Sequence, residues 1–139
     1  MTKPIVAIMY DFDKTLCTRD MQEYTFFPNL GIDAQEFWNE TNKLRADNKT
    51  DQVLAYMYMM RKKMLDKDMK LSREYLHEMG KGIRLFPGVI DWFDRINEYA
   101  AAKNIIVEHY ICSSGNKEII EGTTIAKKFK KIFGCQFVF

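Results

Sequence analysis

The stretch Pro4-Ile5-Val6-Ala7-Ile8-Met9-Tyr10-Asp11-Phe12-Asp13-Lys14-Thr15-Leu16 decides how this chain is read. A continuous apolar run from Ile5 to Tyr10 has the composition of a strand buried on both faces of a parallel sheet. It ends abruptly in two carboxylates, Asp11 and Asp13. Residues i and i+2 of a strand point to the same side. The two acids therefore face one crevice at the strand's C-terminal end, where open α/β sheets hold their ligands. Like charges gathered at such a tip oppose one another's ionisation, so the pair points to chemistry.

A second stretch of the same kind lies far along the chain. Ile105 to Cys112 reads as another strand, and it runs into Ser113-Ser114-Gly115-Asn116. A helix is expected from about Lys117. Thr123-Thr124 then opens a helix through Phe133, Gly134 ends it, and Cys135 to Phe139 reads as a third strand. Val89, Trp92, Phe93, Ile96, Tyr99 and Ala100 repeat with helical spacing ahead of the second strand, with Pro87 suited to the helix's first turn. Strand, helix, strand, helix, strand is the pattern of a parallel sheet with right-handed crossovers. Both polar tips then fall at one sheet edge.

Between the first strand and Pro87 the character is helical. Residues 17–30 read as a connector punctuated by Pro28 and Gly31. Asp33, with Glu36 three residues on, makes a capping box. Phe37, Trp38, Thr41 and Leu44 give that helix an inward face. Thr50 or Asp51 caps a helix from Asp51 to about Leu65 whose Met and Tyr residues cover most of its circumference, as in a helix buried on several sides. They suit a core, and some of them an apolar pocket. Ser72 caps a shorter helix that Gly80 and Gly82 end. The fold class expected is α/β: a Rossmann-like parallel sheet, incomplete with about three strands, carrying an inserted α-helical cap. Residues 1–17 and 85–139 form the core and residues 18–84 the insert.

Composition sets limits. Of 139 residues, 47% are hydrophobic and 29% charged, ordinary for one globular domain. Twenty-one basic against 19 acidic residues leave a net charge of +2, which argues against nucleic acid as a partner. No apolar run approaches the ~20 residues of a membrane span. The N-terminus runs straight into the first strand without a signal peptide. Cys17, Cys112 and Cys135 are odd in number and lack metal spacing, which fits reduced thiols and a cytoplasmic location.

The tips suit phosphoryl chemistry. A carboxylate is a competent nucleophile, and a second one two residues on serves as acid and base. Small hydroxyl side chains and a helix start favour an anion. Clustered carboxylates invite Mg²⁺. Cys17 has no paired His, Cys112 reads as a small buried residue, and His77 and His109 read as structural. Lys127-Lys128-Phe129-Lys130-Lys131 reads as a solvated helix face.

Asp11-x-Asp13-x-Thr15 after an apolar strand resembles motif I of the haloacid dehalogenase (HAD) superfamily, and Ile111-Cys112-Ser113-Ser114-Gly115 resembles its motif II. Leu85-Phe86-Pro87-Gly88-Val89 and the helical insert resemble the phosphoserine-phosphatase-like branch with its C1 cap. The resemblance implies a Mg²⁺-dependent phosphatase acting on a small phosphomonoester. Asp11 would be nucleophile and metal ligand. Asp13 would be acid/base and a metal ligand through its carbonyl. Ser113, with Thr15 and Ser114, would shape the phosphate site. Arg19, Glu23 and Tyr24 lie where such a cap contacts substrate. The family's motif III lysine and motif IV acidic pair have no match. No Asp or Glu follows Glu121, and Lys127 and Lys128 follow motif II too soon. The expectation is therefore an N-terminal portion of a longer phosphatase. The first strand would be an open edge that pairs with the missing C-terminal portion or with another copy of the chain. The alternative is a catalytically incompetent fragment or interaction piece. The substrate is not legible in the sequence.

Overall fold

A computed structural model describes residues 2–139. Three strands, β1 (Ile5–Tyr10), β2 (Ile106–Asn116) and β3 (Lys131–Cys135), form one sheet in the order β1-β2-β3, parallel throughout. Six helices accompany them: α1 (Phe26–Leu30), α2 (Ala34–Asn48), α3 (Gln52–Leu65), α4 (Arg73–Gly80), α5 (Val89–Ala101) and α6 (Lys117–Glu121). The architecture is the expected α/β one with a Rossmann-like sheet.

Local chemistry sets the helix boundaries. Asp33 accepts the Glu36 amide at 2.9 Å and Asp51 the Leu54 amide at 2.8 Å, so both N-caps sit where the sequence places them. Lys49 adopts a left-handed conformation (φ 50°) that breaks α2 from α3. Ser72 accepts the Tyr75 amide at 3.2 Å and starts α4.

The core is one continuous cluster in which Phe12, Phe26, Phe37, Met60, Leu76, Phe93, Ile111 and Ile119 are fully buried. It runs from the sheet into the helices between β1 and α5. Two glycines let the two regions touch. A Cβ on Gly80 of α4 would collide with the Ile119 carbonyl of α6, and one on Gly122 with the His77 carbonyl. Backbone meets backbone there, with no room for a side chain.

Several expectations need correction. Residues 17–30 are not a plain connector: Met21–Glu23 is a 3-10 turn and α1 follows. Phe26, Phe27 and Leu30 are buried, and that burial orders the segment. The helix expected over residues 123–133 is absent: a 3-10 turn at Ala126–Lys128 leads directly into β3, which starts at Lys131 and not at Cys135. Ile132 pairs with Ile111 and Phe133 with Cys112, so strand pairing overrides the helical reading of the lysine-rich stretch. Lys128 and Lys130 instead pair with Asp94 and Glu108. Cys112 is exposed. β1 is not buried on both faces. Ile5, Val6 and Met9 are 59%, 45% and 61% exposed. Among the described residues no strand pairs with β1's outer edge.

β2 is also longer than expected. Residues read as a turn, Ser113 to Asn116, continue the strand through a register irregularity between Cys112 and Asn116. Such bulges re-aim side chains at sheet rims.

Candidate active site

The β1–β2 register runs from Ile5 opposite Ile106 to Tyr10 opposite Ile111. The two polar tips, starting at Asp11 and at Ser113, therefore lie side by side just past the end of the β1–β2 pairing. Phe12 points into the core and is fully buried, so Asp11 and Asp13 share the other side, as alternation requires.

Their surroundings differ. Asp11 is exposed, and its Oδ2 accepts the Thr15 hydroxyl at 2.9 Å. A tight turn brings Thr15 there: the amides of Thr15, Leu16 and Cys17 all converge on the Phe12 carbonyl, with Lys14 left-handed at φ 61°. Asp13 is half-buried and its Oδ1 accepts the Met21 amide at 2.8 Å. Burial pushes its carboxyl up to about 7. The Met21 hydrogen bond opposes that, while the nearby Asp20 and Asp11 charges add to it. One acid in water beside one held near neutrality is how paired carboxylates divide nucleophilic from acid/base work.

The β2 tip closes the crevice. A Cβ on Gly115 would overlap the Met21 methyl and stand 3.1 Å from Asp13 Oδ2, so the glycine lets the strand lie close to both side chains. Ser113 Oγ accepts the Gly115 amide at 3.0 Å, which leaves its own proton free to donate. The five-residue α6 gives little macrodipole, so the anion-holding helix start expected after Asn116 is weak. Asn116 is instead buried, accepting Gln22 Nε2 at 3.0 Å.

The helices between β1 and α5 sit over this edge. Residues on either side of Cys17 and Leu85 pair antiparallel: the Phe86 amide donates to the Leu16 carbonyl at 3.0 Å and Thr18 to Arg84 at 3.3 Å. Tyr24, singled out as a substrate contact, is used here. Its hydroxyl meets Thr18 Oγ1 and the Arg19 amide and donates to the Arg84 carbonyl. From α3, Tyr56 donates to the Ser114 carbonyl at 2.7 Å, and burial pushes its hydroxyl pKa up.

Between tips and helices lies a cavity of about 410 Å³. Asp13, Ser114 and Gly115 form its floor, and Asp20, Gln22, Trp38, Asn42, Gln52, Val53 and Tyr56 its walls. Of the expected site residues only Asp13 and Ser114 line it; Asp11, Thr15, Ser113, Arg19, Glu23, Lys127 and Lys128 are not among its lining. In sequence Trp38 reads as the inward face of its helix, and the Met and Tyr stripe that holds Tyr56 as core with some of it lining an apolar pocket; Asn42 and Gln52 carry no sequence signal. Only the packing of α2 on α3 above the β-tips brings them together. Cys17 is buried beside Asp13, its thiol pushed up to about 11 by burial. It is unsuited to act as a nucleophile.

For a Mg²⁺ ion the donor set is partial. Asp11 supplies a hard carboxylate oxygen and Asp13 a second nearby oxygen. No group of three or more His, Cys, Asp or Glu side chains converges among the described residues. Two protein oxygens, with water and a substrate phosphate, suit how Mg²⁺ is bound, so the residues present fit part of a site.

No protein-family model matches the chain. An uncharacterized protein of Borreliella burgdorferi is 28% identical over 147 residues, which cover 96% of this chain and 50% of that protein. A HAD family hydrolase from Salmonella enterica serovar Typhi superposes with a TM-score of 0.64 at 15% identity, over 98% of this chain and 42% of that one. An L-2-haloacid dehalogenase from Xanthobacter autotrophicus gives 0.48 at 12% identity, over 94% of this chain and 56% of that one. The chain shares its fold with the Salmonella HAD family hydrolase. This chain spans about half the length of the curated relative it matches.

Proposed function

We propose that this chain carries the nucleophilic half of a HAD-type, Mg²⁺-dependent phosphatase acting on a small phosphomonoester. The observation that carries the reading is the divided pair: exposed Asp11 held by Thr15, and half-buried Asp13 held near neutrality beneath Met21. Residues 1–17 and 85–139 act as the core, and residues 18–84 as a cap that walls the site.

In this reading Asp11 attacks phosphorus in line with the leaving alkoxide and becomes an aspartyl phosphate. Thr15 fixes the attacking carboxylate's orientation. Asp13, protonated at the start because its pKa is raised, gives its proton to the leaving oxygen. Now ionised, it takes a proton from water as that water attacks the acyl phosphate, which restores both acids. The free protons of the Ser113 and Ser114 hydroxyls serve the transferring phosphoryl oxygens. Mg²⁺, bound by Asp11 and the Asp13 carbonyl, would neutralise charge between acid and phosphate.

In the test, phenyl phosphate turnover is measured with Mg²⁺ for wild type and Asp11→Asn. Turnover should fall by roughly 10³-fold or more, since removing a nucleophile abolishes the covalent route. Activity near wild type in the variant would overturn the mechanism.

A second reading is favoured by one observation: among the described residues no three acids converge as a metal-holding group, while β1 leaves an apolar edge open. On it, the 139-residue chain alone is nearly inactive. It gains turnover when a further polypeptide, its own continuation or another copy, pairs with β1 and brings a cation and further acids. Full turnover by the chain alone as a monomer would exclude this.

A further inference from the structure

A second cavity, of about 330 Å³, lies where the end of α3, the start of α4 and the segment after β3 meet. It shares no lining residue with the cavity beside Asp13. Arg61 reaches it from α3, Lys70 from the loop before α4, and Arg73 from the first turn of α4. One acid, Glu74, lines it beside them. The other two cations of α3 are paired, Lys62 with Asp66 and Lys63 with Glu40. Arg61, Lys70 and Arg73 make no ion pair among the described residues. Three like charges around one cavity repel, and a bound anion relieves that repulsion. The remaining walls are apolar, with Leu71, Phe137 and Phe139. The Arg73 guanidinium lies over the Phe139 ring, 5.1 Å from its centroid. Stacking uses the face of the guanidinium and leaves its N–H edge free to donate. That edge matches the paired oxygens of a phosphate. The Phe137 amide donates to the buried Glu118 carboxyl at 3.1 Å, which fastens the segment that carries both rings.

Charge alone would suit any anion, but rings beside the cations suit a phosphate that carries a flat group. The volume stands at the small end for ligand pockets, enough for one nucleotide unit. We propose that this cavity binds a nucleoside monophosphate, its phosphate on Arg61, Lys70 and Arg73 and its base against Phe137 and Phe139. The inference does not rest on the phosphatase reading, because the site holds none of the residues which that reading uses.

The test is calorimetric titration of the full chain with AMP, inorganic phosphate and adenosine, with EDTA present so that no Mg²⁺-dependent turnover intervenes. AMP should bind about tenfold or more tighter than either comparison probe, since each of them offers only half of the contacts. Arg73→Ala removes one guanidinium at an exposed position and should weaken AMP about tenfold, the worth of a hydrogen bond to a charged group. Arg61→Gln, on a different helix, should weaken AMP likewise, so the result does not hang on the folding of one variant. Phe139→Leu keeps an apolar wall but removes the ring. It should weaken AMP about 5-fold, the low end of base–aromatic stacking, and leave inorganic phosphate unchanged. AMP affinity should also fall as salt is added, because the cations are exposed. Inorganic phosphate binding as tightly as AMP would reduce the site to a surface anion patch and overturn the proposal. Absence of AMP binding would overturn it too. So would wild-type AMP affinity in both arginine variants, which would place the nucleotide elsewhere on the chain.

Discussion

Replacing Asp13 by Asn should stabilise the fold, and the gain should depend on pH. Asp13 is half-buried under the Met21–Glu23 turn, and burial raises its carboxyl from an ordinary 3.8 to about 7. Below pH 4 the acid is protonated in both folded and unfolded chains, so it contributes nothing to the pH dependence. Between those values the folded chain keeps a proton that the unfolded chain has lost, and stability falls as pH rises. Above about 7 the full cost is present. Three pH decades at ~1.4 kcal/mol each set a ceiling of about 4 kcal/mol. Water reaching the half-buried crevice lowers the expected cost to about 2 kcal/mol. Asn cannot ionise, and its Oδ1 can still accept the Met21 amide. The stability difference, Asn minus Asp, should therefore grow in favour of Asn by about 2 kcal/mol between pH 4 and pH 8. Urea unfolding of both variants across that range measures it, because all other titrating groups cancel in the difference. A difference flat with pH, or an Asn variant less stable at pH 8, would refute the claim that this carboxyl is held near neutrality. It would also remove the ground for its acid/base role.

Other expectations bear on packing and pH. His109 is buried; Asn97 accepts from its Nε2 and Tyr10 donates to its Nδ1, while the Trp92 indole donates to Tyr10. That chain of bonds needs a neutral ring, and burial lowers its pKa from 6.5. Below about 6.5 the unfolded chain therefore binds the extra proton, so this group's stability is complete above 6.5 and is lost as pH falls. His109→Asn should flatten that acid-side loss in urea melts between pH 5 and 7.5. Phe93 is fully buried against Tyr10, His109 and Phe129, and Phe93→Ala should cost about 3–5 kcal/mol in the same assay. Gly122→Ala forces a methyl into the His77 carbonyl, and since backbone cannot yield as a side chain would, a loss of about 3 kcal/mol is expected by thermal melting.

The motif I strand, the caps at Asp33, Asp51 and Ser72, and the two β-tips were legible because each is a local signal: composition, spacing or a side chain reaching three residues on. The misreadings come from non-local causes. Thr123 to Phe133 has helical polarity, yet Ile132 and Phe133 pair with Ile111 and Cys112, so tertiary pairing overrides propensity. α1 forms because Phe27 packs on Phe37 and Trp38, contacts that no window over residues 17–30 contains. β1 reads as doubly buried because its composition says so, although four of its six residues are exposed. Asp11, Asp13 and Ser113 stand out in the sequence as acids and a hydroxyl at the ends of apolar runs. The wall residues Asn42 and Gln52 do not, since an amide facing a cavity and one facing bulk water look alike in sequence.

The pKa that makes Asp13 useful is not a property of motif I alone. The strand supplies the acid, but its desolvation comes from the insert: Met21 donates the amide, and its side chain lies against Gly115 on the far side of the carboxyl. Gln22, the next residue, is buried against Asn116. Tyr56 ties the same insert to Ser114. A displacement of these helices that admitted water beside Asp13 would lower its pKa toward 3.8 and remove the proton it is to donate. Acid strength and closure over the cavity are thus coupled by construction. Tyr56→Phe, which cuts the Ser114 tie but keeps the ring, should move the high-pH limb of the pH–rate profile downward, since that limb reports ionisation of the acid that must hold a proton. An unmoved limb would mean that Met21 and Gln22 hold the crevice closed without it.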